Sequence, residues 1–108
     1  MLRFALIIIV VLFSATAARA ESVYVKYRGQ VDLAPFECTD VTRSSLVKRV
    51  CFDSIKEYML ISLNGIYYHY CGIDGGTVSN LLSADSIGRF YNEVIKGNFD
   101  CRLVGVPE

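Results

Sequence analysis

Four cysteines are the residues of this 108-residue chain with the clearest chemical potential. They lie well apart along the chain, at Cys38, Cys51, Cys71 and Cys101. Because no two of them form a C-x-x-C pair, the spacing does not favour a thiol-redox centre or a cysteine metal site. An even number of cysteines in a short exported chain instead predicts two structural disulfides, and the sequence leaves three connectivities open.

His69 is the only histidine, so any metal site or proton relay would depend on it. A metal ion needs several ligands, and one imidazole without neighbouring cysteine or histidine does not supply them. Serine-nucleophile catalysis would need Ser86 beside His69, and the sequence has no G-x-S-x-G motif. We therefore predict no catalytic residue, no metal ligand and no cofactor.

Two sets of polar residues could form a binding surface. Tyr68 and Tyr70 could stack nucleic-acid bases, but the register of the predicted hairpin places them among core residues, so we predict that they pack in the core. On the last predicted helix, polar side chains recur at spacings of three and four and would share one side. This candidate polar strip consists of Ser86, Arg89, Asn92 and Lys96. Alternatively, these motif residues are structural. Ser86 would then cap the helix, Gly88 would allow another segment to approach the helix closely, and Asn92 would hydrogen-bond to a loop.

Residues 1–20 have the three-part layout of a secretory signal peptide. Arg3 supplies positive charge, residues 5–13 are apolar, and Ala18 and Ala20 are the small residues that signal peptidase accommodates. The apolar run is well short of the roughly 20 residues of a membrane span. We predict cleavage after Ala20, export, and no membrane span in the mature chain.

Without Arg3 and Arg19, 9 basic residues remain against 11 acidic ones, which gives no basic excess for nucleic-acid binding.

The strongest local signal is Asn64-Gly65. Both residues accept the positive φ values of a type I′ hairpin turn, and β-forming runs flank them at 58–63 and 66–71. The two-residue loop fixes the register and thereby the two faces of the hairpin. One face carries Met59, Ile61, Leu63, Ile66, Tyr68 and Tyr70. The other carries Tyr58, Leu60, Ser62, Tyr67, His69 and Cys71.

A third strand is predicted at 45–53, and two amphipathic helices follow the hairpin. Apolar residues at helical spacing run from 78 to 82 and from 87 to 95. The candidate caps are Asp74 or Thr77 for the first helix and Asp85 or Ser86 for the second, with Gly97 as a stop. We predict an α+β fold: a three-stranded antiparallel meander with two short C-terminal helices packed on one face, plus an N-terminal extended segment.

The second face of this meander is too apolar to stay in water, and we expect residues 23–36 to cover it. The sequential strand order places Cys51 and Cys71 on non-neighbouring strands, which disfavours a bridge between them. Cys38 and Cys101 then remain as their partners in either arrangement.

From Ser44 onward the chain resembles the KTSC domain, a module named for the C-terminus of some lysyl-tRNA synthetases. The matching blocks are Ser44-Ser45 with Phe52-Asp53, Tyr68-His69-Tyr70, and Ser86-Ile87-Gly88-Arg89-Phe90-Tyr91-Asn92. Ile73-Asp74 stands where the family commonly has Val-Pro. The N-terminal extension and the four cysteines lie outside the family pattern.

The resemblance divides the chain into a signal peptide (1–20), an extension (21–43), a KTSC-like domain (44–102) and a tail (103–108). It implies no catalytic residue, and its synthetase context implies RNA binding as an alternative function. With the export signal and the cysteines, we predict a non-catalytic, disulfide-stabilised binding module of the bacterial envelope, periplasmic or secreted. A protein or peptide is the favoured partner, and a small hydrolase or thiol-redox enzyme is the less favoured alternative.

Overall fold

The computed structural model describes residues 21–107. The predicted signal peptide and its cleavage site lie before these residues. The strands are β1 (Ser22–Val25), β2 (Gly29–Asp32), β3 (Glu37–Asp40), β4 (Val47–Asp53), β5 (Tyr58–Leu63) and β6 (Ile66–Cys71). The helices are α1 (Gly75–Ser83), α2 (Ile87–Phe90), a π-helical segment (Tyr91–Ile95) that continues α2, and α3 (Cys101–Val104).

The six strands form one curled, mixed sheet in the order β2-β1-β6-β5-β4-β3, so the predicted three-stranded meander is wrong as a fold class. β4, β5 and β6 do pair antiparallel in sequence order. However, the β1–β2 hairpin joins β6 through a parallel contact, and β3 joins β4 at the other edge. The added strands have four residues each, too few for a clear alternating pattern, and they pair with distant edges of the sheet.

The Asn64-Gly65 turn is confirmed. Asn64 has a φ of 52° and Gly65 a φ of 88°, the positive values that a type I′ turn requires. The predicted register follows, with Met59 opposite Tyr70.

Helices cover one face of the sheet and bury what we call the helix-side core. Met59 and Ile61 at its centre are 0% exposed. The helices begin at predicted caps, since Asp74 accepts a hydrogen bond from the Thr77 amide and Ser86 accepts one from the Arg89 amide. The buried residues of this core are Val41, Val47, Val50, Met59, Ile61, Tyr70, Ile73, Val78, Leu81, Ile87, Tyr91 and Ile95.

The opposite face buries a second, smaller group that we call the staple-side core. Its members are Val25, Leu33, Cys51, Tyr58, Leu60, Cys71 and Cys101. Residues 23–36 do contribute to covering this face, as expected, but not as a strap laid across it. They form β1 and β2, which extend the sheet, and its curl brings Val25 of β1 into the same cluster as Cys51 of β4.

Arg49 of β4 links the sheet to Glu21, the residue before β1, on this side. Its guanidinium donates to the Glu21 carboxylate at 2.7 and 3.1 Å and lies 3.4 Å from the Tyr67 hydroxyl. Its Nε is buried and lies 3.4 Å from the Asp40 carboxylate without forming a hydrogen bond. The extension is therefore tied to β4 by charge as well as by apolar packing.

Two disulfides are present, Cys38–Cys51 and Cys71–Cys101. The first joins directly opposed residues of β3 and β4, and the second joins β6 to α3. Cys51 and Cys71 are not bridged to each other, as the strand order predicted. Two disulfides indicate an oxidising, non-cytoplasmic environment. Within residues 21–107, no helix has the length and apolar character needed to cross a membrane.

Candidate binding site

His69 lies in the staple-side face, paired with a phenol. Its Nδ1 is 2.8 Å from the Tyr58 hydroxyl, and the two rings meet edge to face. Burial lowers the pKa of His69, and nearby Arg28 lowers it further. Burial also raises the pKa of Tyr58. This pair is a buried hydrogen bond between neutral rings.

Ser86 is on the other side of the sheet from His69. Its hydroxyl caps α2 through the Arg89 amide, at 3.2 Å, and α2 packs over the helix-side core. The two residues that a serine–histidine relay would need are therefore not brought together. Among residues 21–107, no group of three or more His, Cys, Asp or Glu side chains could hold a metal ion.

An open groove lies between the β5–β6 hairpin and the end of the π-helical segment. It has a volume of about 300 Å³, and we call it the tyrosine groove. Its lining residues are Leu46, Leu63, Tyr68, Tyr70, Tyr91, Asn92, Lys96, Gly97, Asp100 and Arg102. Two members of the predicted polar strip and both tyrosines of the Y-x-Y motif thus meet at one place.

The floor of the groove is a tyrosine pair. The hydroxyls of Tyr70 and Tyr91 lie 2.5 Å apart, and their rings meet edge to face at 5.9 Å. Both side chains are buried, and burial raises the pKa of each. Tyr68 is only half-buried, with the Lys26 ammonium 5.6 Å from its ring centroid. Tyr68 is therefore the tyrosine that a ligand could contact with its ring.

The rim of the groove carries charged and polar groups. Arg102 donates to Asp100 at 2.6 Å, and this contact holds the pKa of Asp100 below its usual value. Arg102 also lies over the ring of Tyr27, 4.4 Å from its centroid. Asn92 and Lys96 are exposed, and neither side chain makes a hydrogen bond or an ion pair within the described part of the chain. The rim thus offers one ammonium and one amide that are not committed to other groups.

The predicted polar strip is divided in the structure. Asn92 and Lys96 line the groove, whereas Ser86 caps α2 and Arg89 is not among the lining residues. The division follows from the π-helical segment, whose wider turn changes the angular position of residues after Phe90. Gly88 approaches Ser44, but a Cβ there would lie 3.8 Å from the serine hydroxyl, an ordinary contact. Close approach is therefore not a steric requirement at Gly88.

Asp100 and Arg102 line part of the groove but are not among the site residues that the sequence predicts. Their position depends on the segment around Cys101, which the Cys71–Cys101 disulfide attaches to β6. The Cys71 amide donates to the Phe99 carbonyl at 2.7 Å, and Asp100 forms an isolated bridge with Tyr70. Knowledge of the disulfide pairing would have placed both residues beside the tyrosines.

Comparisons with known proteins agree on one family. The family model for the KTSC domain matches residues 43–99, which is more than half of the chain. The crystal structure of a KTSC domain protein from Yersinia pestis is similar at 31% identity with a TM-score of 0.56, covering 59% of this chain and 90% of that one. A search of curated proteins found no match.

Proposed function

Because this chain belongs to the KTSC domain family, we propose that it is an exported, non-catalytic binding domain that holds an acidic peptide segment of a partner protein in the tyrosine groove. The single observation that carries the proposal is the convergence of the family's Y-x-Y strand and its last helix on one open groove. Residues of both motifs, Tyr68 and Asn92 among them, line it. Asp100 and Arg102, on either side of the disulfide-bonded Cys101, complete the rim.

The charges of the rim support an acidic ligand. Asp100 is neutralised by Arg102, which leaves the Lys96 ammonium as the uncompensated charge among the residues that line the groove. A carboxylate placed there would gain a charge-assisted hydrogen bond, which is stronger than a neutral one. Leu46, Leu63 and the Tyr68 ring supply apolar contacts for the rest of the segment.

RNA binding is the rival function, and the geometry favours a peptide over it. A base-stacking sheet presents two or three aromatic faces to the strand. Here Tyr70 is 5% exposed and its hydroxyl is bonded to Tyr91, so only the Tyr68 ring is accessible at this site. The chain after residue 20 also has more acidic than basic residues.

The proposal that the domain is non-catalytic is supported by the position of its histidine. His69 is the single imidazole, and it is buried against Tyr58 with a lowered pKa. A general base must reach the proton that it removes. The residues that line the tyrosine groove include no imidazole, and their one carboxylate, Asp100, is paired with Arg102.

Export is tested by the mass of the processed protein. When the full chain is expressed with its own leader in a bacterium that has a periplasm, we expect a periplasmic species that begins at Glu21. Its mass should be lower by four hydrogens than that of the reduced chain 21–108, because two disulfides have formed. A cytoplasmic species that retains residues 1–20 would contradict the proposal.

Binding at the groove is tested with fluorescent nonapeptides that share an apolar frame and differ only in an acidic, neutral or basic centre. We expect the acidic peptide to bind the oxidised protein best, and Lys96→Glu to weaken it about tenfold or more, as loss of a charge-assisted hydrogen bond implies. Tyr68→Ala should weaken all three peptides. Arg89→Glu is the matched control, because this exposed cation on the same helix lies outside the groove.

Two outcomes would overturn the proposal. One is equal loss of binding in Lys96→Glu and Arg89→Glu, which would indicate a diffuse charge effect. The other is oligouridylate binding that weakens steeply with added salt, competes with the peptides and is lost in Tyr68→Ala, which would favour RNA.

A further inference from the structure

β3 is an edge strand with one side open. The Val41 amide donates to the Lys48 carbonyl at 2.9 Å, which fixes the alternation of the antiparallel ladder. By that alternation, Glu37 and Thr39 direct their backbone groups toward β4, and Cys38 and Asp40 direct theirs away from it. The Cα atoms of Cys38 and Cys51 are 4.0 Å apart, which fits a pair without ladder hydrogen bonds. The outer side of β3 therefore presents two amides and two carbonyls to an incoming strand.

Two hollows lie beside this edge on the helix side. The larger, of about 390 Å³, lies between β3 and α1 and includes Phe52 and Val78 in its lining. The smaller, of about 160 Å³, includes Val41 and Ile87. Both are lined by Thr39 and Leu82 and are therefore neighbours along the strand. Alternate side chains of a strand point to the same face, so two apolar residues at positions i and i+2 could enter them.

The other side of the edge is acidic. Asp40 shares that face with Arg49, its partner on β4. Arg49 is also paired with Glu21, so two carboxylates share one guanidinium and one negative charge is in excess. The Asp40 side chain is 83% exposed. Basic side chains of an added strand would face this charge.

We propose that β3 binds an extended segment of a partner protein by strand addition, with apolar side chains directed into the two hollows and basic side chains directed toward Asp40. The open backbone groups supply affinity, and the hollows and the charge supply specificity. The Cys38–Cys51 disulfide fixes β3 on β4 before the partner arrives, which lowers the cost of ordering the edge on binding.

A second copy of this chain fits the edge less well. Self-pairing would bring Glu37 and Asp40 of each copy toward the same acidic residues of the other, and like charges opposite one another are destabilising. The edge is also separate from the tyrosine groove, with which neither hollow shares a residue. This binding site consequently does not depend on the proposed function of the groove.

The test uses a heptapeptide of alternating lysine and valine, and two versions of it with methyl groups on alternate backbone amides. In strand addition, one set of alternate amides faces β3 and the other faces solvent. We therefore expect methylation of one set to weaken binding to the oxidised protein about tenfold or more, and methylation of the other set to leave it nearly unchanged. Because the protein itself is unaltered, this comparison does not depend on how a variant folds.

Protein variants locate the site. Asp40→Pro removes an outward-facing amide and should weaken binding, while amide exchange at Cys38 and Asp40 should slow when the peptide binds the unaltered protein. Gln30→Pro is the matched control on β2, the other edge. There the Leu33 amide donates to the Glu21 carbonyl, so the amide of Gln30 also faces outward. Lys96→Glu should leave this binding unchanged.

Equal sensitivity to both methylation patterns would overturn the proposal, as would equal loss in Gln30→Pro and Asp40→Pro. A dimer of the oxidised protein that Asp40→Pro dissociates would show that a second copy occupies the edge instead.

Discussion

The two faces of the sheet are closed by different means. All but one of the buried residues of the helix-side core lie within the span matched by the family, the exception being Val41. The staple-side core depends on residues outside that span: Val25 and Leu33 come from the extension, and Cys101 follows the C-terminal end of the matched span. The comparison indicates that the extension and the disulfides close a face that the matched residues do not cover by themselves.

Each face also buries one hydrogen-bonded aromatic pair, and the chemistry of the two pairs differs. Tyr70 and Tyr91 form the pair on the helix side, and Tyr58 and His69 form the pair on the staple side, with similar edge-to-face geometry. The raised pKa values of the phenols keep the first pair neutral throughout the physiological range. The second pair contains an imidazole whose pKa burial lowers from its ordinary value of 6.5, so only the staple side should respond to mild acid.

Removal of a disulfide should have the largest effect on stability. Replacing Cys71 and Cys101 by alanine opens a loop of 30 residues and should lower the free energy of unfolding by about 4 kcal/mol. The same change at Cys38 and Cys51, which are 13 residues apart, should cost about 3 kcal/mol. Urea unfolding followed by circular dichroism measures both. A larger loss at the shorter loop would contradict the loop-closure account.

Truncating a core side chain should have a smaller effect on stability, and its dependence on the disulfides should distinguish the two cores. Met59→Ala on the helix side and Leu60→Ala on the staple side should each cost about 3 kcal/mol in the oxidised protein, because both side chains are 0% exposed. If reduction loosens only the staple side, the cost of Leu60→Ala should fall in the reduced protein and that of Met59→Ala should persist. Equal changes of the two costs on reduction, measured by urea unfolding, would mean that the faces are not independent.

Mild acid should lower the stability of the folded protein by protonating His69. Since its pKa is lowered in the folded protein, the unfolded chain binds more protons between that pKa and the ordinary value of 6.5. Stability should therefore fall as the pH drops below about 6.5 and level off below the folded pKa. His69→Gln should remove this dependence, and Tyr70→Phe on the helix side should retain it. A profile of unfolding midpoints that His69→Gln does not alter would refute the assignment.

The smallest effect should come from Gly88. The space around it accepts a Cβ at ordinary contact distance, and alanine is a better helix former than glycine. Gly88→Ala should therefore stabilise the protein by up to about 1 kcal/mol. Gly97→Ala is the contrasting variant, because its φ of 83° is strained for alanine, and it should destabilise. Destabilisation by Gly88→Ala would show that close approach matters there after all.

The predictable parts of the structure are those fixed by local chemistry. The Asn64-Gly65 turn sets the hairpin register because a two-residue loop leaves no freedom to slip. Asp74 and Ser86 cap helices because each side chain accepts a hydrogen bond from the amide three residues further on. These signals place Tyr70 in the core and His69 on the far face.

The unpredicted parts depend on contacts between distant segments. β2 and β3 are strands because they pair with the strands next to them in the sheet. Four residues are too few to show a clear alternating strand pattern in the sequence. The π-helical segment, which moves Lys96 into the groove and leaves Arg89 outside, has no simple sequence signature. Asp100 reaches the groove through a disulfide whose partner the sequence left open.

Hydrogen exchange of the oxidised and the fully reduced protein, resolved by residue, tests most directly whether the two faces are closed independently. The account predicts that reduction abolishes amide protection in β1, β2, β3 and α3, while the amides of β5 and α1 stay protected by the helix-side core. If reduction instead removed the protection of β5 together with that of β3, the sheet would be one cooperative unit and the account would be wrong.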